Sequence, residues 1–222
     1  MLALVVDTST QAVLAAVVEV TATGFAVRSQ HRTVDQRPQH GERMAPLVEL
    51  ALSQAGATVR DLGAIVAGTG PGPFTGLRVG LVTAASMGQT LRRPTYGVCS
   101  LDAIGGVRGQ VTLVATDARR REVYWAIYDA DGARREGPHV DQPARVAELA
   151  QDASVAVGDG ALLYADRLGL KVLDEPRYPT IEGFAALAAE RIRAGAPSEP
   201  LTPLYLRRPD AVAAGGHKPV LR

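Results

Sequence analysis

A glycine-rich stretch, residues 68–80, is the part of this sequence with the clearest capacity for binding chemistry. It holds five glycines and two prolines in thirteen residues. A phosphate-binding P-loop needs Lys and then Ser or Thr after its last glycine, whereas here Gly76 is followed by Leu77. The third glycine of a dinucleotide-binding fingerprint is replaced by Pro73. The pattern therefore favours a packing loop that opens a helix over a self-contained phosphate site.

Two aspartates form the second pattern with chemical potential. Asp7 follows a strand predicted over residues 2–6, and Asp117 follows one predicted over residues 111–116. Each leads through a turn into a further strand, which predicts two similar α/β halves with a cleft between them. In such a cleft a carboxylate is able to hold Mg²⁺ or water, but turn capping by Asp is favoured. The candidates for nucleotide contact in the cleft are Asp7, Thr8, Ser9, Gly70, Gly72, Thr75 and Asp117.

The histidines and the single cysteine give no support for catalysis. Two histidines four residues apart on a helix are a metal-binding signature, but the residue four after His40 is Met44. Cys99 follows a predicted strand and is predicted to be a buried structural thiol. The sequence has no Gly-x-Ser-x-Gly nucleophile elbow. We therefore predict no catalytic residue, no metal site and no cofactor.

Composition narrows the class of protein. The chain has 222 residues, 46% hydrophobic content and a formal net charge of +1, which gives no bulk attraction to nucleic acid. Its first residues lack the basic region of a signal peptide, and no apolar run is long enough to span a membrane. These features predict a cytoplasmic protein. Three consecutive arginines, residues 119–121, remain open to interpretation as solvated turn residues, contacts to an acidic partner or contacts to RNA phosphate.

Hydrophobic periodicity predicts three long helices. The first covers residues 41–55, the second residues 75–91, and the third residues 180–194, which Thr180 is able to cap. In the first helix, the apolar residues at the helical period include Met44, Leu47, Val48 and Ala51.

The second helix has an unusual stripe of small residues. Gly76, Gly80, Ala84 and Gly88 recur every four residues and so lie on one side of a helix, with Leu81 on an adjacent stripe. Small residues at this spacing allow another backbone to approach closely. Two interpretations are open: a central core helix, or a helix that meets a second protein along this stripe. We take the second as the working prediction.

Taken together, these motifs resemble the TsaB family, also called YeaZ, of bacterial tRNA threonylcarbamoyladenosine synthesis. The resemblance is densest over residues 1–128 and extends to residues 203–207. It departs from the family at Pro73, where serine is usual. The segments that carry it are VDTST at 6–10, HGERMAP at 40–46, GPGPFTGLRVG at 70–80, GVCSL at 97–101 and DARRREVY at 117–124.

The resemblance implies an actin/Hsp70-like ATPase fold, an α/β fold of two ribonuclease-H-like subdomains with mixed sheets flanked by helices. The expected subdomains are residues 1–100 and 101–209, followed by a flexible tail at residues 210–222. The implied role is that of a non-catalytic dimerisation subunit. It pairs with the paralogue TsaD, which transfers the threonylcarbamoyl group to adenosine in tRNA, and the ATPase TsaE joins them.

In this family the first two helices form the partner interface, and tRNA is met only through the complex. The resemblance also implies a homodimer when the chain is alone and no membrane partner. The alternatives are an ATPase of the same fold superfamily and a peptidase homologue. The predicted interface residues are Met44, Leu47, Val48, Ala51, Gly76, Arg78, Gly80, Leu81, Ala84 and Gly88.

Overall fold

Two five-stranded sheets with the same topology organise the chain. The computed structural model describes residues 1–34 and 40–207. The first sheet contains β1 (Leu2–Asp7), β2 (Ala12–Val20), β3 (Phe25–Val34), β4 (Leu62–Gly68) and β5 (Thr95–Val98). The second sheet contains β6 (Thr112–Asp117), β7 (Val123–Tyr128), β8 (Arg134–Asp141), β9 (Val155–Val157) and β10 (Lys171–Val172).

The strand orders are β3-β2-β1-β4-β5 and β8-β7-β6-β9-β10, so each strand has a counterpart in the other sheet. In both sheets the first three strands pair antiparallel, and the last two run parallel to the first. This duplication confirms the predicted fold class of two similar α/β halves.

Seven α-helices of the described residues flank the sheets. They are α1 (His40–Gln54), α2 (Phe74–Leu91), α3 (Ser100–Ile104), α4 (Pro143–Leu149), α5 (Asp159–Leu163), α6 (Ala165–Leu168) and α7 (Ile181–Arg193). The three long helices were predicted, and the Thr180 hydroxyl caps α7 by accepting a hydrogen bond from the N–H of Gly183 at 3.0 Å. The short helices α3 and α4 were not predicted.

The first sheet is buried on both faces. Leu4 and Val6 of β1 face α1 and α2, whereas Ala3 and Val5 face α7. Alternate residues of a strand point to opposite faces, so a strand covered on both sides is apolar throughout. In the second sheet, α4, α5 and α6 cover one face, and α3 packs on the other.

The placement of α7 changes the predicted subdomain boundary. This helix follows the second sheet in sequence, but its apolar residues, among them Phe184 and Ala188, pack on the first sheet. Within the described part of the predicted second subdomain, residues 101–207, α7 therefore packs with the first sheet and not with the second. The predicted tail, residues 210–222, lies outside the described residues.

After α7 the chain crosses the first sheet's edge as a segment that we call the C-terminal strap, residues 198–207. The N–H of Glu199 donates to the Thr95 carbonyl of β5 at 2.8 Å, and the N–H of Leu204 donates to the Thr69 carbonyl at 2.9 Å. The strap thus hydrogen-bonds to the backbone of β5, an edge strand whose polar groups would otherwise lack a partner on that side. Among the described residues, no helix has the length and apolarity needed to cross a membrane.

Candidate functional site

The turn after β1 is stabilised by the chain's own hydrogen bonds. The Asp7 carboxylate is buried, and one oxygen accepts from the Ser100 hydroxyl at 2.8 Å. The other accepts from the hydroxyl and the N–H of Ser9 at 2.9 and 3.2 Å. The Ser100 hydroxyl in turn accepts from the N–H of Gly70 at 3.2 Å. Because a buried carboxylate needs such partners, Asp7 acts here as a turn cap that joins β1 to α3.

The glycine-rich loop packs directly on this turn. A side chain at Gly72 would overlap the Ser9 carbonyl group, and one at Gly68 would overlap the Asp7 carboxylate. The space that a phosphate would need between loop and turn is therefore occupied by the chain itself. This geometry confirms the prediction of a packing loop that opens a helix.

The Thr8 hydroxyl inserts into the hydrogen-bond ladder of α2. It donates to the Gly76 carbonyl at 2.7 Å and accepts from the N–H of Gly80 at 2.9 Å. These are the two groups that would otherwise bond to each other along the helix. A Cβ at Gly80 would lie 2.8 Å from the Thr8 hydroxyl oxygen, so only glycine allows this approach.

The small-residue stripe of α2 faces the chain's own core, which corrects the prediction that it admits a partner's backbone. Gly80 meets Thr8, and a Cβ at Gly88 would lie 2.5 Å from the Thr95 methyl group of β5. Ala84 is fully buried. The close approach that the stripe allows is between α2 and the first sheet.

The same correction applies to almost the whole set of predicted interface residues. These residues are buried between the helices and the sheet. They recur at the helical period because that period places them on the side of each helix that packs against the core. These buried residues are Met44, Leu47, Val48, Ala51, Gly76, Gly80, Leu81, Ala84 and Gly88. Arg78 alone of the predicted set is exposed.

The opposite faces of α1 and α2 carry apolar side chains into solvent. Leu50 of α1 is 45% exposed and Val82 of α2 is 61% exposed. Ala85 and Ser86, next to Val82, are also exposed and small. These faces have no covering element in the described part of the chain, and we call them the outer face of the helix pair.

An aromatic and arginine cluster borders this outer face. The Arg78 guanidinium lies 3.8 Å from the centre of the Phe74 ring, and its Nε donates to the Tyr205 hydroxyl at 2.8 Å. The rings of Phe74 and Tyr205 are 4.9 Å apart between centres. The cluster holds the exposed Arg78 guanidinium against two aromatic rings and connects the strap to α2.

Beyond this cluster, α2 and the strap enclose a groove of about 690 Å³. We call it the α2–strap groove. Its lining is Arg78, Leu81, Val82, Ala85, Gly88, Gln89, Arg93, Thr95, Ser198, Glu199, Leu201, Pro203 and Tyr205.

The cleft between the two sheets brings together only some of the predicted cleft residues. Thr8, Thr75 and Asp117 line a cavity of about 480 Å³. Asp7 and Ser9 are buried behind the turn instead. Of the two predicted aspartates, only Asp117 therefore lines this cavity.

Asp117 has a different carboxylate neighbour, Asp159 at the start of α5. The N–H of Asp117 donates to the Asp159 carboxylate at 3.2 Å, while the Asp117 carboxylate accepts from the N–H of Arg119 at 3.0 Å. Burial raises the pKa of Asp159 to about 6, and the negative charge of Asp117 contributes in the same direction.

This shift predicts that stability falls as pH rises through the mildly acidic range. Between about pH 4 and pH 6 folded Asp159 keeps its proton while the unfolded side chain has lost it, so ionisation at higher pH penalises the fold. Asp159→Asn keeps an acceptor for the N–H of Asp117 without the charge. It should raise the free energy of unfolding by up to about 3 kcal/mol at pH 7.5 and by only about 1 kcal/mol at pH 4.5.

Urea unfolding at both pH values measures this effect, with Asp166→Asn as the control for loss of an exposed carboxylate near by. An equal pH dependence in the wild type and in Asp159→Asn would contradict the assignment.

The arginine triplet forms the tip of the β6–β7 hairpin. Arg119, Arg120 and Arg121 all have left-handed backbone conformations, with φ of 61°, 55° and 63°. Non-glycine residues adopt this region at a cost, so the hairpin closure between Ala118 and Glu122 must hold the turn in place. Arg119 and Arg120 line a cavity of about 440 Å³ beside the glycine-rich loop.

Two further observations on the described residues concern the cysteine and possible metal ligands. Cys99 is half-buried, and burial raises the pKa of its thiol to about 11, so that it stays protonated at neutral pH. Within residues 1–34 and 40–207, no three His, Cys, Asp or Glu side chains are grouped so as to hold a metal ion.

Sequence reasoning assigned no role to Asp159 or Tyr205 and did not predict which elements the strap contacts. The strap has neither helical nor strand periodicity, and Tyr205 meets a residue 127 positions earlier in the chain. The family resemblance reaches residues 203–207, but no local pattern in those residues indicates the element that they contact.

Comparison with known proteins assigns the family. The model of the family described as "TsaD: tRNA N6-adenosine threonylcarbamoyltransferase" matches residues 33–171. The tRNA threonylcarbamoyladenosine biosynthesis protein TsaB of Escherichia coli is 32% identical over 192 residues, covering 76% of this chain and 81% of that protein. The chain belongs to the TsaB branch of the TsaD family.

Other relatives agree with this placement. A Mycobacterium tuberculosis protein of uncharacterised function is 47% identical over 208 residues, covering 94% of this chain and 92% of that protein. The solved structure of YeaZ from Pseudomonas aeruginosa matches with a TM-score of 0.72 at 28% identity, covering 92% of this chain and 99% of that one.

A more distant structure supports the fold alone. The activator of the 2-hydroxyisocaproyl-CoA dehydratase from Clostridium difficile, solved with bound ADPNP, has a TM-score of 0.51 at 10% identity, covering 88% of this chain and 97% of that one. The TsaB-like chain therefore has the actin/Hsp70-like fold, as predicted, and belongs to a family of tRNA threonylcarbamoyladenosine biosynthesis.

Proposed function

We propose that this TsaB-like chain is a non-catalytic subunit that pairs with a TsaD-type threonylcarbamoyltransferase and supports its activity on tRNA. The 32% identity with Escherichia coli TsaB over 76% of the chain carries this proposal. A TsaE-type ATPase joins the pair, and tRNA is met through the complex.

The outer face of the helix pair supports pairing at α1 and α2. Leu50 and Val82 leave apolar surface in water, which is costly unless another surface covers it. A stable interface needs about 800 Å² from each partner, more than a single helix face supplies. The interface therefore uses both helices, with side chains opposite to those that form the core. When the chain is alone, a second copy covers the same face more weakly.

The geometry of the turn after β1 supports a non-catalytic role. Asp7 is held by Ser9 and Ser100, and Gly72 packs on the backbone of Ser9, so the turn is closed to a phosphate. An ATPase that uses this turn gains no support from such an arrangement. A metallopeptidase gains none either from the described side chains.

Reconstitution tests the role directly. With TsaD and TsaE of the same organism, a threonylcarbamoyl-adenylate source and tRNA, modification is expected only when this chain is present. Isolated, it should leave ATP unhydrolysed in the presence of magnesium. Full modification without the chain, or ATP turnover by it alone, would contradict the proposal.

A further inference from the structure

The C-terminal strap contacts both halves of the molecule. Its first part is fixed on the first half, where Nη1 of Arg191 in α7 donates to both carboxylate oxygens of Glu199 at 2.8 and 2.6 Å. The N–H of Leu204 then donates to the carbonyl of Thr69 in the glycine-rich loop at 2.9 Å. Because α7 and this loop both pack on the first sheet, the strap belongs to the first half as far as Leu204. Its last residue, Arg207, contacts the second half.

Arg207 holds the β6–β7 hairpin at two points. Its Nη1 donates to the Ala118 carbonyl at 3.1 Å, and its Nη2 forms an ion pair with the Glu122 carboxylate. Ala118 and Glu122 close the hairpin, since the N–H of the first donates to the carbonyl of the second at 3.0 Å. The side chains of Arg207 and Glu122 are only 25% and 30% exposed, so salt screens this pair less than a fully exposed one. One side chain of the strap thus fastens the base of the hairpin to the first half.

The tip of the same hairpin divides the cleft between the halves into two cavities. Arg119 lines both the cavity of about 480 Å³ and the cavity of about 440 Å³, and so do residues 73–75 at the start of α2. These shared walls come from different halves. The distance between the start of α2 and the hairpin tip therefore sets the width of the cleft at this point. Arg207 lines the second cavity, beside the hairpin that it holds.

The halves are also joined where α7 packs on α3. The N–H and the hydroxyl of Thr180 both donate to the Ala103 carbonyl, at 3.1 and 2.9 Å. A Cβ at Gly183 would lie 2.2 Å from the same carbonyl oxygen, so the two helices approach closely here. The chain segments that cross from one half to the other end at this junction. Movement of one half against the other would therefore turn about it.

We propose that Arg207 is a latch that sets the width of the cleft. While it binds Glu122, the hairpin tip stays against the start of α2 and the two cavities stay separate. When it releases the hairpin, the second half turns about the junction of α3 and α7, and the cavities merge into one opening. A partly exposed ion pair is weak enough to be exchanged for contacts with solvent or with a bound molecule. This proposal concerns the chain by itself and does not depend on the proposed function.

The distance between the halves tests the latch. Spin labels are attached at Ser86→Cys on α2 and Ala144→Cys on α4, two exposed positions, in a chain that also carries Cys99→Ser. An excess of unlabelled chain excludes distances between two copies. Arg207→Ala should shift and broaden the distribution of distances measured by double electron–electron resonance, because the second half is no longer held. A distribution equal to that of the labelled wild type would overturn the proposal.

The matched control is Arg28→Ala. It removes an ion pair of Arg28 with Glu19, 3.5 Å apart, that lies within the first sheet and does not join the halves. Its distribution of distances should equal that of the labelled wild type. A broadening as large as in Arg207→Ala would show that any lost ion pair loosens the molecule, and would overturn the proposal.

Reversal of the two charges isolates the ion pair. Glu122→Arg and Arg207→Glu each bring like charges together and should each broaden the distribution. The double variant restores the attraction and should narrow it again; a double variant as broad as the single ones would overturn the proposal. If Arg207→Ala does not fold, Glu122→Gln removes the charge with little change in shape and should also broaden the distribution. A wild-type distribution in Glu122→Gln would then overturn the proposal.

Discussion

Val82→Asp is expected to weaken pairing with TsaD roughly a hundredfold while the chain remains folded. Val82 is 61% exposed in the centre of the outer face, so aspartate is well hydrated in the free chain. In the complex the same carboxylate would lose its water, and an ion pair with Arg78, one helical turn earlier, would offset only part of that cost, so that about 3 kcal/mol of binding free energy is lost. That corresponds to roughly a hundredfold weaker binding. Calorimetry with TsaD measures the affinity, and circular dichroism checks the fold.

The matched control is Leu163→Asp. Leu163 is 59% exposed on α5, so the substitution changes a similarly exposed apolar residue in the second half of the molecule. It should bind TsaD with wild-type affinity. If Val82→Asp binds as tightly as this control, the outer face of α2 is not the interface, and the proposed site of pairing is wrong.

The sequence predicted the main elements because the patterns involved are local. Alternating or continuous apolar residues marked the strands, and apolar residues at the helical period marked α1 and α7. The repeat of strand, aspartate turn and strand at Asp7 and Asp117 predicted the duplication that the two strand orders confirm.

Local patterns did not predict which side of α2 packs against the core. This helix has small or apolar residues around much of its circumference, so periodicity does not tell which stripe meets the core. The contact that decides it joins Thr8 to Gly80, 72 residues apart in the chain. A long-range contact of this kind leaves no signal in the local pattern. For the same reason the sequence did not show that the strap contacts β5 and α2, because those contacts come from the far end of the chain.

Gly72→Ala tests the resulting account of the glycine-rich loop, in which glycine admits the chain's own turn. A Cβ there would overlap the Ser9 carbonyl group, and both groups are backbone atoms or fixed to backbone, so neither gives way easily. The free energy of unfolding should fall by about 2–4 kcal/mol. Gly24→Ala is the control, since a Cβ at that position meets nothing within 4 Å. Urea unfolding measures both. A loop built to bind a ligand would instead leave the stability of Gly72→Ala near that of the control, because the space beside Gly72 would be free in the unliganded chain.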